Sequence, residues 1–415
     1  MMSHRLRSCV ALGAMLCPIL CSEVAMAVNG TPVWVNSLVG TPGTNYHISS
    51  PSLAFDHYGV PSVSWSTVHA FGGSNTVYRS KTSGLGFWSH RVVEQGTGVG
   101  LLTSLSFDRS EKPTVAWING GGDVKTQFND VTTQTLPGVA ANITRPAISI
   151  SHDLTGTLRG AFSAQSAATV YDINGANGAH TTSLLGTLSN VVDIHDLRFP
   201  TDYTGRRHVI ARASLATNTE GVVVASEPLG GGAWTSTVLA TADDVNGVAI
   251  AISPLDGKPA LAYTTYNSGN NTSKLFYAKP TGSILQTTEV QSSTTAIFED
   301  IDLAFDFSDG LPAMAYERKV LSPFAQQIQF AYLNATSNWQ TSLVDGTASL
   351  DSPLGFHRRP SLAFDDYGTS WPAISYIDAD GSLTVAFDPP GQAPEPAAAL
   401  LVCFGLICLS RRRRG

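Results

Sequence analysis

Cysteine is absent from the long middle of this 415-residue sequence. The five cysteines all lie near the two ends, at Cys9, Cys17, Cys21, Cys403 and Cys408. Residues 28–391 therefore contain no disulfide, no thiolate nucleophile and no cysteine-ligated metal site. We expect this part of the chain to be stabilised by packing alone.

Charged residues are also scarce, at 14% of the chain against about a quarter in an average soluble domain. Between the terminal segments described below, 19 basic residues stand against 30 acidic ones, a net charge of −11. This acidity argues against nucleic acid or anionic lipid as a partner. The 38 glycines follow no Gly-X-Y period, which excludes collagen, and the aliphatic residues are too regular for a disordered chain.

The N-terminus has the pattern of a secretory signal peptide, residues 1–27. Arg5 and Arg7 precede an apolar run from residue 9 to residue 21, and Ala25-x-Ala27 follows it. We expect cleavage between Ala27 and Val28. A lipoprotein signal at Cys21 is the weaker alternative, because Pro18-Ile-Leu20 precedes it where small residues are required.

The C-terminus, residues 392–415, combines a short polar motif, an apolar segment and a cationic stop. Residues 397–410 are apolar; the motif before them is Pro394, Glu395 and Pro396, and the stop is Arg411, Arg412, Arg413 and Arg414. The arginines favour the cytoplasmic side of a membrane. A plain tail anchor is the alternative, although a transmembrane helix of 14 apolar residues is short.

This tail resembles the PEP-CTERM sorting signal of bacterial exported proteins, with Ala393 in place of the commoner Val. The resemblance implies transient membrane insertion of the tail, and recognition and removal of the tail by an exosortase-type protease. It also implies delivery to the cell surface or the extracellular polysaccharide matrix.

The middle of the chain repeats one short motif seven times, at spacings of 43 to 59 residues. The copies begin with Ser52-Leu-Ala-Phe-Asp56 and Ser104-Leu-Ser-Phe-Asp108. They continue as Ala147-Ile-Ser-Ile-Ser151, Asp196-Leu-Arg-Phe-Pro200, Ala249-Ile-Ala-Ile-Ser253, Asp302-Leu-Ala-Phe-Asp306 and Ser361-Leu-Ala-Phe-Asp365. Small or polar residues alternate with large apolar ones, which indicates β-strands.

Further strands follow most copies, about four in every 50 residues with no helical period. This spacing is typical of a β-propeller, so the sequence predicts an all-β fold of seven four-stranded blades over residues 28–391. The seventh copy lacks its fourth strand, and residues 34–39 have the fourth-strand pattern. We expect the N-terminal strand to pair with residues 383–387 and close the ring.

The recurring aspartates and aromatic residues have structural interpretations. Asp56, Asp108, Asp306 and Asp365 begin turns in which a carboxylate accepts backbone N–H bonds, and copies spread around a ring cannot converge on one substrate. The second-strand aromatics are expected to pack between blades; they are Trp65, Trp117, Tyr263, Tyr316 and Tyr376.

No catalytic, metal-binding or cofactor motif is found. There is no Gly-x-Ser-x-Gly elbow, P-loop or HExxH, and Asp378-Ala-Asp380-Gly381 is only a fragment of a calcium loop. The repeats loosely resemble sialidase-type propellers but lack the Asp-box. Arg358 and Arg359 precede a first strand, where a sialidase would place an anion-binding arginine, but we expect them to be solvated loop charges.

Loop lengths vary most between second and third strands, which share one face of a propeller with the connections between blades. Variable loops on a uniform scaffold are typical of a binding face. The candidate ligand residues there are Tyr46, His69, Phe71, Tyr266, Phe324, Phe356, Arg358 and Arg359. Unselected surface loops are the alternative.

The sequence therefore favours an exported surface or matrix propeller with a non-catalytic binding or structural role, and polysaccharide is its candidate ligand. A glycan-active hydrolase or lyase and a pure spacer remain alternatives. A carboxylate pair with an arginine cluster on one face would favour the enzyme, and a neutral aromatic groove would favour the binding protein.

Overall fold

The structure, a computed structural model, describes residues 32–388 apart from 33, 50, 83–86, 137–139, 144–145, 165–168, 229–233, 282–283, 347–358 and 366–369. The predicted signal peptide 1–27 and sorting tail 392–415 lie outside these residues and stay predictions. In the described part of the chain, no helix has the length and apolar character that a bilayer crossing demands.

All regular structure in the described residues is β-strand. In chain order the strands are β1 (Val35–Gly40), β2 (Tyr46–Ile48), β3 (Ser52–Phe55), β4 (Pro61–His69), β5 (Ser74–Thr82), β6 (Trp88–Thr97), β7 (Leu102–Phe107), β8 (Pro113–Ile118), β9 (Val124–Phe128), β10 (Thr132–Thr135), β11 (Ile148–His152), β12 (Leu158–Ser163), β13 (Thr169–Ala176), β14 (Ala179–Thr187), β15 (Val191–Arg198), β16 (His208–Leu215), β17 (Glu220–Ser226), β18 (Thr235–Ala242), β19 (Asp244–Ile252), β20 (Pro259–Asn267), β21 (Thr272–Thr281), β22 (Ile284–Ser293), β23 (Ala296–Phe305), β24 (Pro312–Leu321), β25 (Phe324–Leu333), β26 (Trp339–Asp345), β27 (Ser361–Phe364), β28 (Pro372–Ile377) and β29 (Leu383–Phe387).

These strands form seven antiparallel sheets, the blades of a β-propeller, as predicted. Blade one holds β2–β6, and blades two to six hold β7–β10, β11–β14, β15–β18, β19–β22 and β23–β26. Blade one departs from the predicted four strands because β2 also pairs with β4, alongside the end of β4 that β3 does not cover. Pro51, which has no backbone N–H, lies between β2 and β3.

Blade seven is completed by the N-terminal strand, as predicted. Its order is β1-β29-β28-β27, and β1 pairs with β29 in a register that sets Val35 opposite Phe387 and Ser37 opposite Val385. Val39 of β1 is 3% exposed and belongs to the apolar core shared by blades seven and one. The first and last strands of the ring therefore lie in one sheet, which removes two open sheet edges.

The second-strand aromatics fill the spaces between blades, which confirms their predicted packing role. All five are at most 4% exposed. Three of them also reach the fourth strand of the preceding blade: Trp117 Nε1 donates to Glu94, Tyr316 Oη to Gln291 and Tyr376 Oη to Asp345, at 2.6–2.8 Å. Each of these rings thus combines apolar burial with a hydrogen bond between neighbouring sheets.

Three of the four predicted turn aspartates accept backbone N–H bonds as predicted; the turn after Asp365, residues 366–369, lies outside the described residues. Asp56 Oδ1 accepts the backbone N–H groups of Tyr58 and Val60 at 3.0 and 2.9 Å. Asp108 makes the same two bonds to Ser110 and Lys112, and Asp306 bonds Ser308.

Blades three and four contain the same turn at aspartates that the sequence comparison missed. Asp153 and Asp202 accept the equivalent N–H bonds. The structure therefore aligns residues 149–153 and 198–202 with residues 52–56, and the predicted register of these two copies is wrong by two residues. A shift of two keeps the alternation of side chains between the faces of a strand, so alternation could not reveal the error.

With this alignment, the first residue of the motif links neighbouring blades around the central channel. Its side chain accepts the N–H of the second motif residue of the next blade, at 2.8–3.1 Å. The pairs are Ser52 with Leu105, Ser104 with Ile150, Ser149 with Phe199, Asp302 with Leu362 and Ser361 with Leu53. Arg198 and Ala249 occupy this position in blades four and five.

The pairing of β1 with β29 predicts that substitutions at two neighbouring residues of β1 lower the free energy of unfolding by different amounts. Val39→Ala should lower the free energy of unfolding by about 2 kcal/mol, because it empties space in the core between blades. Leu38→Ala, the matched control, should cost no more than about 0.5 kcal/mol, because Leu38 is 55% exposed. Chemical denaturation measures both values, and equal costs would contradict the pairing described here.

Candidate functional site

The first strands of the blades enclose a channel that contains two cavities. A cavity of about 210 Å³ lies where the first strands begin, and one of about 560 Å³ lies where they end. We call the first end the loop face, since it carries the connections between blades, and the second the turn face, since it carries the aspartate turns. Because neighbouring strands run antiparallel, the loops between second and third strands lie on the loop face, and so do the predicted ligand residues that the structure describes.

A buried ionic cluster, the channel floor, lies at the loop-face end and consists of Asp196, Arg198, Asp302 and Arg359. Arg359 of blade seven is 5% exposed and donates to Asp196 of blade four, so this ion pair joins blades that are not neighbours in the ring. Arg198 Nη1 lies 3.7 Å from the same carboxylate. The interpretation of Arg359 as a solvated loop charge is wrong, because the residue is enclosed in the channel.

The carboxylates of the channel floor are engaged by the fold. Asp302 accepts the backbone N–H groups of Leu362 and Leu303 at 2.8 and 3.1 Å. Burial raises the pKa of Asp302 despite the nearby charge of Arg198. Burial lowers the pKa of Arg359, but the neighbouring carboxylate of Asp196 raises it, and the net pKa of Arg359 lies above its usual value. A carboxylate pair with an arginine cluster, the feature that would favour an enzyme, is therefore present, but its groups join blades to one another.

The larger cavity, which we call the cup, opens among the turns of the turn face. Among the described residues, its charged and imidazole side chains come from blades one to three; they are His57, Asp108, Arg109, Glu111, His152 and Asp153. In the described lining, blades four to seven contribute aliphatic side chains and aromatic rings; the rings are those of Tyr203, Phe305, Phe307 and Phe364. We call the side of the cup with the charged groups the polar half, although Phe55 and Phe107 also line it, and we call the other side the apolar half.

Most polar groups of the cup are held in place by the fold. His152 bonds Ser106 Oγ through Nδ1 at 3.0 Å and Thr114 Oγ1 through Nε2 at 3.3 Å. Burial lowers its pKa to about 4, although Asp108 opposes the shift, so the ring is neutral at pH 7. Asp153 bonds its own turn and Arg159 Nε. Two polar atoms of the lining, Glu111 Oε1 and Ser151 Oγ, are buried without a hydrogen bond in the described structure.

Five turns have an exposed apolar side chain one or two residues after their first residue, and we call this set the rim: Tyr58, Leu154, Tyr203, Leu255 and Phe307. Leu154, Tyr203 and Phe307 of this set line the cup. Two side chains of the rim pack on the turn glycine of the next blade. A Cβ on Gly257 would lie 3.2 Å from Tyr203, and one on Gly310 would overlap Leu255. The predicted binding face rested on variable loops and did not include this rim. The signal for it was an apolar residue one or two positions after the turn aspartate or serine in five blades; in blade two Arg109 follows Asp108 instead.

The residues predicted to bind ligand are divided among blades on the loop face. Tyr46, His69 and Phe71 form an edge-to-face series in blade one, with ring centroids 4.7 and 6.1 Å apart, and Phe71 is 80% exposed. Tyr266 lies in blade five, where its hydroxyl donates to Asn271, and Phe324 is exposed in blade six. Phe356 and Arg358 lie outside the described residues.

Blade four contains two serine–histidine–acid chains that the sequence did not reveal. Ser214 Oγ lies 2.8 Å from His195 Nε2, and His195 Nδ1 lies 3.0 Å from Glu220. Ser226, His208 and Asp202 form the second chain, at 2.8 and 3.1 Å. The two chains lie on opposite faces and join residues of adjacent strands and turns, so we assign both to cross-strand bonding. Glu220 also accepts hydrogen bonds from Arg212 and from the backbone N–H of Val245.

No protein-family model matches the sequence, and no curated protein matches it. Among solved structures, the lectin BP39L from Burkholderia pseudomallei is 11% identical with a TM-score of 0.59, covering 82% of this chain and 96% of the lectin. A protein of unknown function from Dyadobacter fermentans is 11% identical with a TM-score of 0.53, covering 85% and 97%. These similarities show the propeller fold alone.

The channel floor predicts a large cost for breaking its ion pair. Arg359→Met should lower the free energy of unfolding by about 3 kcal/mol, the lower end for a broken buried pair, because Arg198 still faces Asp196. Adding Asp196→Leu should recover much of this loss. Arg91→Met is the control, since Arg91 is exposed, and should cost less than about 1 kcal/mol. If denaturant titrations gave equal losses for Arg359→Met and Arg91→Met, the ion pair of Arg359 with Asp196 would not be structural.

Proposed function

We propose that this protein is an exported propeller of the cell surface or extracellular matrix that binds a carbohydrate in the cup without cleaving it. The observation that carries the proposal is the division of the cup into a polar and an apolar half. A sugar ring presents C–H faces, which pack on aromatic rings, and hydroxyl groups, which need polar partners. The cup offers both surfaces at one channel mouth.

The binding role is preferred to hydrolysis because of how the acidic groups are used. In the cup, Asp108 and Asp153 accept the backbone bonds of their turns, and on the channel floor Asp302 accepts two more. A glycosidase needs one carboxyl group as acid and a second as base or nucleophile. Among the carboxylates of the described lining, Glu111 alone has a buried oxygen without a hydrogen bond.

Binding is tested by alanine substitutions on the two faces of the propeller. On a glycan array, Tyr203→Ala and Phe307→Ala should weaken the strongest signal about tenfold, because each removes a stacking surface of the cup. Phe71→Ala and Phe324→Ala are the matched controls on the loop face and should change it by less than about twofold. If the loop-face variants lost binding and the cup variants kept it, the ligand site would lie on the loop face. If shortened glycan were released, the protein would be a hydrolase and the proposal of binding without cleavage would be wrong.

Export is supported by the signal-peptide pattern and by the resemblance of the tail to PEP-CTERM signals. Replacing Pro394, Glu395 and Pro396 with alanine in a host that has an exosortase-type protease should leave the tail attached and the protein in the membrane fraction. Gln392→Ala is the control and should be processed normally. Cell fractionation and intact mass measure the result, and normal surface delivery of the alanine variant would overturn this part of the proposal.

A further inference from the structure

Glu111 stands where the equivalent turns have glycine. The fourth residue of the aspartate turn has a positive φ in blades one to four: +71° at Gly59, +65° at Glu111, +78° at Gly156 and +82° at Gly205. Its N–H donates to the carbonyl oxygen of the turn aspartate in each case, at 2.9–3.2 Å. A residue with a Cβ is strained in this conformation, so blade two adopts the turn at a cost that glycine would avoid.

The Glu111 side chain lines the cup, and only one of its two carboxylate oxygens forms a hydrogen bond within the described structure. Its Oε2 accepts the backbone N–H of His57 at 2.7 Å. Its Oε1 is buried and accepts no hydrogen bond, and the nearest basic group is His57 Nδ1 at 3.9 Å. Within the described residues, no lysine or arginine nitrogen lies within 4 Å of this carboxylate.

The surroundings favour a cationic donor over a neutral one. Of the other charged groups in the described lining of the cup, Asp108 adds negative charge, Asp153 is paired with Arg159 at 3.1 Å, and Arg109 is the one arginine. A hydroxyl would supply Oε1 with a hydrogen bond but would leave the carboxylate charge without compensation. An ammonium group supplies both the bond and the charge.

We infer that Glu111 is the specificity-determining residue of the cup and receives the ammonium group of an amino-sugar unit. The ring of that unit packs against the apolar half, on the side of Tyr203 and Phe307. This inference rests on the proposed function, because it requires that the cup be the carbohydrate site.

The charge of the ligand and the charge of Glu111 are tested together. The probes for calorimetry are a glucosamine tetramer, its fully N-acetylated form, whose amides carry no charge, and cellotetraose. The protein should bind the glucosamine tetramer about tenfold more tightly than the other two. Glu111→Gln should remove this preference and leave the affinity for the two uncharged probes within about twofold. Glu289→Gln, an exposed carboxylate paired with Lys274 in blade five, is the matched control and should change nothing.

A second variant separates binding from folding. Glu111→Gly restores the residue of the other turns, so it should keep or raise the denaturation midpoint while it abolishes the preference for the glucosamine tetramer. A preference retained in both Glu111 variants would overturn the inference, but the cup would stand as the carbohydrate site if Tyr203→Ala still weakened binding. An absence of glucosamine preference in the unmodified protein would also overturn it. The absence of any signal on the whole glycan array would instead count against the proposed function itself.

Discussion

The fold depends on the pairing of β1 with β29. Each blade buries its faces against its neighbours, so an arrangement of blades that does not close exposes one apolar face at each end. The strand from the beginning of the chain completes the last sheet and sets Val39 in the core shared by blades seven and one. Ring closure is thereby made by main-chain hydrogen bonds and apolar contact together, which suits residues 28–391, where no cysteine is available for a disulfide.

Within the closed ring, one motif position holds the first strands together. Serine accepts the N–H of the next first strand in four blades, and Asp302 does so in blade six. The polar departures from this pattern are informative. Arg198 in place of serine and the carboxylate of Asp302 bring charge into the channel, where Arg359 and Asp196 balance it.

The same reasoning applies at the turn face. Glycine at the fourth position of the turn accepts a positive φ without strain, and Gly59 also leaves room for Asp365 of blade seven. Glu111 breaks that pattern at the cup, where it places a carboxylate oxygen without a hydrogen bond. The features that recur around the ring pack the blades together. The departures from the repeat balance one another on the channel floor, and at Glu111 a departure leaves an oxygen available for recognition.

The sequence alone was sufficient for the seven blades, the closing strand, the turns at Asp56, Asp108 and Asp306 and the packed aromatics, because each follows from the alternation within the repeat or from its phase along the chain. It misaligned blades three and four, since a shift of two residues preserves that alternation. The ion pair of Arg359 with a residue 163 positions away, the two halves of the cup and the isolated oxygen of Glu111 were decided by the tertiary structure. They depend on which blades meet across the channel, and that is a property of the closed ring, which no local pattern encodes.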